Sequence, residues 1–339
     1  MKDIGICRCQ LDDALADATR MRTIQAISTS ARFCERQGNC RLQCGGDRTV
    51  IEEKNGSIDY DESGEGPTIV LVPGSCSTGV AWRTIVSRWK NDFRCVTTSL
   101  LGYGGTAERR TQLDVNISHE AEILETVIQR AACPVHLVGH SFGGLAALAV
   151  AIRNKVPLLS LSILEAPAAE ILRHMGEHRH YGAFRRMTEA YFDAFYAGES
   201  AAIEQMIDFY GGPGTFAGWP QRVRDYAVQT TAVNILDWAS AYGFQLTPAS
   251  LANIVVPTLV LWGEASHPAI QRANELVAQC TNATAATIPE AAHFMISTHA
   301  DAVARVLAQH VLAKHKTRPV IEGSFATDSQ IVLTSDPRS

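Results

Sequence analysis

Short apolar runs alternate with stretches of helical spacing over much of this chain, and that rhythm predicts its layers. Pro67-Thr68-Ile69-Val70-Leu71-Val72 is a continuous run followed by a helical pattern through Trp82, Ile85, Val86 and Trp89. The rhythm repeats as a strand over Phe93 to Ser99, a helix over Ser118 to Ala131, a strand over Val135 to Val138, a helix over Gly143 to Arg153 and a strand over Leu158 to Leu164. Runs apolar on both faces belong to parallel strands covered by helices, so the pattern predicts right-handed βαβ units in an α/β sandwich. Upstream, Thr49 to Glu53 and Ser57 to Asp61 alternate like two strands joined by Asn55-Gly56, a strong hairpin signal.

The rhythm stops between residues 167 and 250. Aromatic residues at helical spacing take over there, including Tyr191, Phe192, Phe209, Tyr210, Trp219 and Trp238. A helical cap inserted into the sheet unit is expected, its aromatic residues packing the small helices on one another and also able to wall a ligand pocket. The sheet pattern resumes with Pro257-Thr258-Leu259-Val260-Leu261-Trp262-Gly263, a helix over Pro268 to Ala278, a strand over Ala283 to Ile288 and a helix over Ala300 to Ala313. The expected division is therefore a core over 49–166 and 251–315, a cap over 167–250, a cysteine-containing leader over 1–48 that is poorly ordered, and a loosely held tail over 316–339.

Composition changes this picture little. The 339 residues are 46% hydrophobic and 19% charged with a net charge of -5, ordinary values for a globular protein. No basic footprint for nucleic acid is present, and no polybasic anchor for a membrane surface. The longest apolar candidate, around 135 to 151, is broken by two histidines and three glycines and falls short of the roughly 18 residues a span requires. Met1 to Gln10 lack a basic region followed by an apolar core, so a cytoplasmic location is expected. The implied partner is a small-molecule substrate, with neither nucleic acid nor membrane, and with the oligomeric state left open, a homodimer included.

Five of the nine cysteines (Cys7, Cys9, Cys34, Cys40, Cys44) crowd the leader without any paired C-x-x-C spacing, which argues against a zinc knuckle. Cys76, Cys95, Cys133 and Cys280 read as reduced thiols within the fold. His174, His178 and His180 form an H-x3-H-x-H cluster, but no carboxylate-rich stretch accompanies it, so a solvated helix face is expected and no metal.

The chemistry concentrates in Gly139-His140-Ser141-Phe142-Gly143, a G-x-S-x-G pattern with a strand before it and a good helix former after it. That context describes a nucleophile elbow, where the serine occupies a strained turn and its neighbours must be small. Two further signposts fall in order: Val72-Pro73-Gly74-Ser75 after a strand and Ala291-Ala292-His293-Phe294 after the last strand. With Pro257 to Glu264, these motifs make residues 49 to 313 resemble the α/β-hydrolase superfamily, in its serine-nucleophile branch.

The resemblance implies roles residue by residue. Ser141 would be the nucleophile and His293 its general base, since a serine at its free pKa is weak without an imidazole in reach. The oxyanion hole would use the backbone N–H groups of Phe142 and Ser75, and His140 would pack near the site. The third member departs from the pattern: the position that holds an aspartate in many relatives is Ser266. Glu165, at the end of the strand 158–164, is the preferred acid, because some haloalkane dehalogenases place a glutamate in a similar Glu-Ala context there. Glu264 is the second candidate.

A serine at the elbow argues against dehalogenation and epoxide opening, which need an aspartate there. The expected activity is that of a cofactor-independent serine hydrolase cleaving a small apolar carboxylic ester through an acyl-enzyme. A C–C bond hydrolase and an acyltransferase or perhydrolase share the same triad. A non-catalytic ligand-binding receptor on a hydrolase fold is the reading from another class.

Overall fold

The structure is a computed structural model and describes residues 50–53, 56–90, 92–111, 113–132 and 134–315. The leader with its five cysteines, the tail, Asn55 of the hairpin turn and Cys133 lie outside the described residues.

Eight strands form one sheet: β1 (Val50–Glu53), β2 (Gly56–Ser63), β3 (Thr68–Val72), β4 (Arg94–Thr98), β5 (Val135–His140), β6 (Leu158–Leu164), β7 (Thr258–Gly263) and β8 (Thr284–Ile288). Their order is β1-β2-β4-β3-β5-β6-β7-β8. β1 pairs antiparallel with β2, and β2 with β4, while every pairing from β4 through β8 is parallel. This is the mostly parallel α/β sheet that the unbroken apolar runs imply, with an antiparallel edge supplied by the hairpin.

Alternate residues of the central strands serve two cores. Val70 and Val72 of β3 and Leu137 of β5 join the apolar cluster that includes Ile123, Leu124 and Val127 of α2 (Ser118–Arg130) and Leu145 and Leu148 of α3 (Phe142–Arg153). Ile69, Leu71 and Val138 point to the other face, where they cluster with Ile85 and Trp89 of α1 (Arg83–Trp89) and with Val303 and Leu307 of the last helix (Ala300–His315). Both faces are covered, which is why β3 and β5 are buried along their whole length.

Between β6 and β7 the chain leaves the sheet. α4 (Ala169–His174), α5 (His178–Tyr196), α6 (Ile203–Gly211), α7 (Gln221–Gln229) and α8 (Thr231–Gly243) make up this helical insertion, with single turns at Thr215–Gly218 and Pro248–Ala252. Phe184 packs on Phe209 at 5.5 Å and on Trp238 at 6.1 Å between ring centroids, distances that suit offset and edge-on aromatic pairs. The chain then returns through β7, α9 (Pro268–Cys280), β8 and α10 (Ala300–His315). No helix among the described residues is long and apolar enough to cross a membrane.

Candidate active site

The site gathers where the parallel strands end. In register, Val72 lies beside Gly139, His140 beside Leu164, and Leu164 beside Leu261, so the residues that follow β3, β5, β6 and β7 emerge along one rim. Open α/β sheets bind ligands at this carboxyl edge.

Ser141 sits between β5 and α3 with φ 55° and ψ -129°, a conformation that costs a side-chain-bearing residue energy and is held by its surroundings. Its N–H donates to Leu164 O at 2.8 Å, and its carbonyl accepts from Gly144 N–H at 2.8 Å. The turn closes only because its flanks are glycine: a Cβ on Gly139 would lie 2.3 Å from Gly143 O, and one on Gly143 would lie 2.2 Å from Pro73 O. The first turn of α3, with its unpaired N–H groups and positive dipole end, begins at Phe142 directly beside the hydroxyl.

His293 reaches this hydroxyl from the loop after β8. Its Nε2 is 2.9 Å from Ser141 Oγ and its Nδ1 is 2.7 Å from Glu165 Oε2. Glu165, fully buried and at φ 49°, is held by two further donors: Gly263 N–H at 2.7 Å and the Ser266 hydroxyl, both to Oε1. Its N–H donates to Leu261 O at 3.1 Å. With Nδ1–H given to the carboxylate, the Nε2 lone pair faces the serine.

The structure thus brings Ser141, His293 and Glu165 into one line. Glu264 is not part of it: its side chain is exposed and accepts from Thr287 Oγ1 at 2.8 Å. Ser266, the residue that departs from the expected aspartate, donates its hydroxyl to the glutamate. His140 Nε2–H donates to the carbonyl of His293 at 2.9 Å, and burial pushes its pKa down to about 3, so it stays neutral and props the loop that carries His293.

A cavity of about 40 Å³ adjoins the hydroxyl, with Ser75, Phe142 and His293 in its wall. Met206, Ile207, Tyr210 and Trp238 of the insertion and Phe294 supply an apolar side. Tyr210 also stacks on His293 with 4.2 Å between ring centroids. Gly74 touches the serine so closely that a Cβ there would sit 2.8 Å from Ser141 Cβ, which leaves the main chain at Ser75 beside the hydroxyl. A larger hollow of about 310 Å³ near Asp59, Arg83 and Lys90 contains none of these residues.

One polar group of the cavity wall, Asp237, and the buried charges behind it carry no signal in the sequence. Asp237 Oδ1 accepts from Arg110 Nη1 at 2.7 Å, and Arg110 also pairs with Glu108 at 2.7 Å and approaches Glu120 at 3.5 Å. Burial pushes the Asp237 carboxyl up, against the lowering effect of Arg110. These residues are scattered along the chain with no local spacing to reveal them. Among the described residues no group of three or more His, Cys, Asp or Glu could hold a metal ion. In the histidine cluster, His180 pairs with Glu177 at 3.0 Å and His174 contacts Arg173 at 3.1 Å.

Comparison with known proteins agrees with this architecture. The alpha/beta hydrolase family model matches residues 69–306, and the chain belongs to that family. It is 28% identical over 105 residues to haloalkane dehalogenase 2 of Mycobacterium tuberculosis, covering 31% of this chain and 36% of that one. It is 35% identical over 98 residues to the pimeloyl-[acyl-carrier protein] methyl ester esterase of Vibrio atlanticus, covering 29% and 36%. The chain thus spans little more than a third of the length of these curated relatives. An esterase from Exiguobacterium antarcticum has the same fold, with a TM-score of 0.61 at 16% identity over 78% of this chain and 99% of the other.

Proposed function

We propose that the protein is a serine hydrolase that needs no cofactor and cleaves a small carboxylic ester through an acyl-enzyme. The observation that carries this reading is the unbroken relay Ser141–His293–Glu165, with contacts of 2.9 and 2.7 Å, beside an apolar cavity under the helical insertion. Ser141 Oγ attacks the ester carbonyl while His293 Nε2 takes its proton, and Glu165 stabilises the imidazolium that forms. Negative charge on the carbonyl oxygen falls to the N–H groups of Phe142 and Ser75, worth several kcal/mol to the tetrahedral intermediate. His293 then returns the proton to the departing alcohol, and water, activated by the same imidazole, releases the acid.

Serine at position 141 separates this chain from the alkyl-enzyme chemistry of dehalogenases, which starts from an aspartate, and favours the esterase side of its relatives. The insertion acts as a cap that selects the acyl group. A cavity of about 40 Å³ has room for roughly two or three waters, which points to a short acyl chain.

Treatment with a fluorophosphonate followed by intact-protein mass spectrometry tests the reading. A single adduct on the native chain, absent from Ser141→Ala, is the expected result. A folded native chain that gains no adduct and shows no burst on p-nitrophenyl acetate refutes it and leaves the ligand-binding receptor.

A further inference from the structure

The cavity wall that the triad does not supply is organised around one carboxylate. Asp237, only 1% exposed, projects from α8 of the insertion. Its Oδ2 accepts from the hydroxyls of Ser75 and Tyr103, each at 2.6 Å, and its Oδ1 from Arg110 at 2.7 Å. Three separate stretches of chain therefore meet on it: the loop after β3, the segment after β4 and the insertion. A second link of the same kind runs nearby, where Gly104 N–H donates to the Tyr226 hydroxyl at 3.0 Å.

A buried ion pair of this sort is a weak stabiliser compared with apolar packing, and its best-attested use is to fix geometry. The geometry it fixes here is that of Ser75. The one hydroxyl proton of Ser75 is committed to Asp237, so the side chain is not a donor to substrate, and its anchoring sets the direction of the adjoining N–H. We infer that Asp237 is a positioning residue for the oxyanion loop, so that the Ser75 donor is aligned only while the insertion is seated on the core. This inference rests on the serine-hydrolase reading above.

Ser75→Ala isolates the link, because it keeps the N–H and leaves Asp237 paired with Arg110 and Tyr103. Steady-state hydrolysis of p-nitrophenyl acetate should show kcat lower by about 10- to 100-fold, part of the roughly 10²- to 10³-fold cost of losing an oxyanion donor outright. KM should stay within about twofold, since the interaction acts in the transition state. Asp237→Asn should lower kcat in the same way, and the double variant should be no worse than Asp237→Asn alone, because both changes remove one coupling. Phosphonylation of Ser141 should slow in parallel. Should Asp237→Asn fail to fold, Ser75→Ala decides the matter by itself.

A Ser75→Ala protein with kcat within about twofold of the wild type, or one that changes only KM, overturns the positioning role. So does full additivity in the double variant. These outcomes leave the hydrolase reading standing if the wild type turns over ester. A wild type without a Ser141 adduct removes that reading, and the inference with it.

Discussion

Replacing Glu120 by Gln should make the protein more stable, by an amount that grows with pH. Glu120 lies on α2, fully buried, with Oε2 accepting from Leu101 N–H at 3.2 Å and Oε1 lacking a hydrogen-bond partner. Arg110 is 3.5 Å away but is engaged more closely by Asp237 and Glu108, both at 2.7 Å. One cation thus faces three carboxylates, and burial, with Asp237 adding to it, pushes the Glu120 pKa from 4.5 up to about 8. The folded protein holds this proton more tightly than the unfolded chain does. The stability it contributes is complete below pH 4.5 and is lost as pH rises to about 8.

Gln matches the neutral carboxyl in size and keeps the acceptor for Leu101, so the variant lacks that loss. The gap should open by about 1.4 kcal/mol per pH unit and reach ~5 kcal/mol at the plateau, comparable to the whole stability of many domains. Urea unfolding of both proteins at pH 5, 6, 7, 8 and 9, at constant ionic strength, measures it. Asp237, also pushed up chiefly by burial, titrates in both proteins. Near-equality at pH 5, a steady divergence and a plateau above pH 8 are expected. A difference independent of pH, or one that favours the wild type as pH rises, would refute the burial argument.

Further outcomes follow from the site itself. Glu165→Gln should cost on the order of 10⁴-fold in kcat by favouring the wrong imidazole tautomer, whereas Glu264→Gln, on the exterior beside Thr287, should stay within about twofold; equal effects in an esterase assay would sink the assignment. Gly143→Ala drives a Cβ to 2.2 Å from Pro73 O, and thermal melting should show a destabilisation of about 1–3 kcal/mol together with loss of phosphonate labelling. Because the Ser266 hydroxyl bonds Glu165, Ser266→Asp placed in a Glu165→Ala background should restore at least about tenfold of the lost kcat by offering His293 a carboxylate from the neighbouring strand end. Failure to recover activity in a folded double variant counts against that geometry.

What was legible in the chain was whatever its chemistry writes locally. Six parallel strands follow from unbroken apolar runs, since only burial on both faces makes Ile69-Val70-Leu71-Val72 tolerable. Ser141 announces itself because its strained turn demands glycine on both sides. Element ends moved by a residue or two: β4 is Arg94–Thr98 within the expected 93–99, and the last helix runs on to His315. The two candidate acids each follow a strand end, and the sequence favours Glu165 only through its Glu-Ala context; it is the structure that sets Leu164 beside Leu261, joins Glu165 to His293 and leaves Glu264 outside on Thr287. Arg110, Glu120 and Asp237 left no trace in the sequence, because a buried charge cluster needs partners in space and none at a fixed interval along the chain. Ser266 was visible as a missing aspartate, while its service as a donor to the acid was not.

The seat of Glu165 divides the site unevenly along the polypeptide. Ser141 and Glu165 belong to a single β5-α3-β6 unit, 24 residues apart and joined across the same strand pair by the Ser141 N–H bond to Leu164. Of the three, only His293 arrives from beyond the insertion, together with Gly263 and Ser266, the donors that hold Glu165. The chain that links the hydroxyl to the carboxylate is short and avoids the insertion, whereas the imidazole and the two donors that hold the carboxylate both depend on how the segment beyond the insertion is seated. A protease nick or an engineered chain break within the Gly212-Pro213-Gly214 loop would separate the half that carries Ser141 and Glu165 from the half that carries His293, Gly263 and Ser266, so recovery of activity after such a break reports on how well the two halves re-seat on each other.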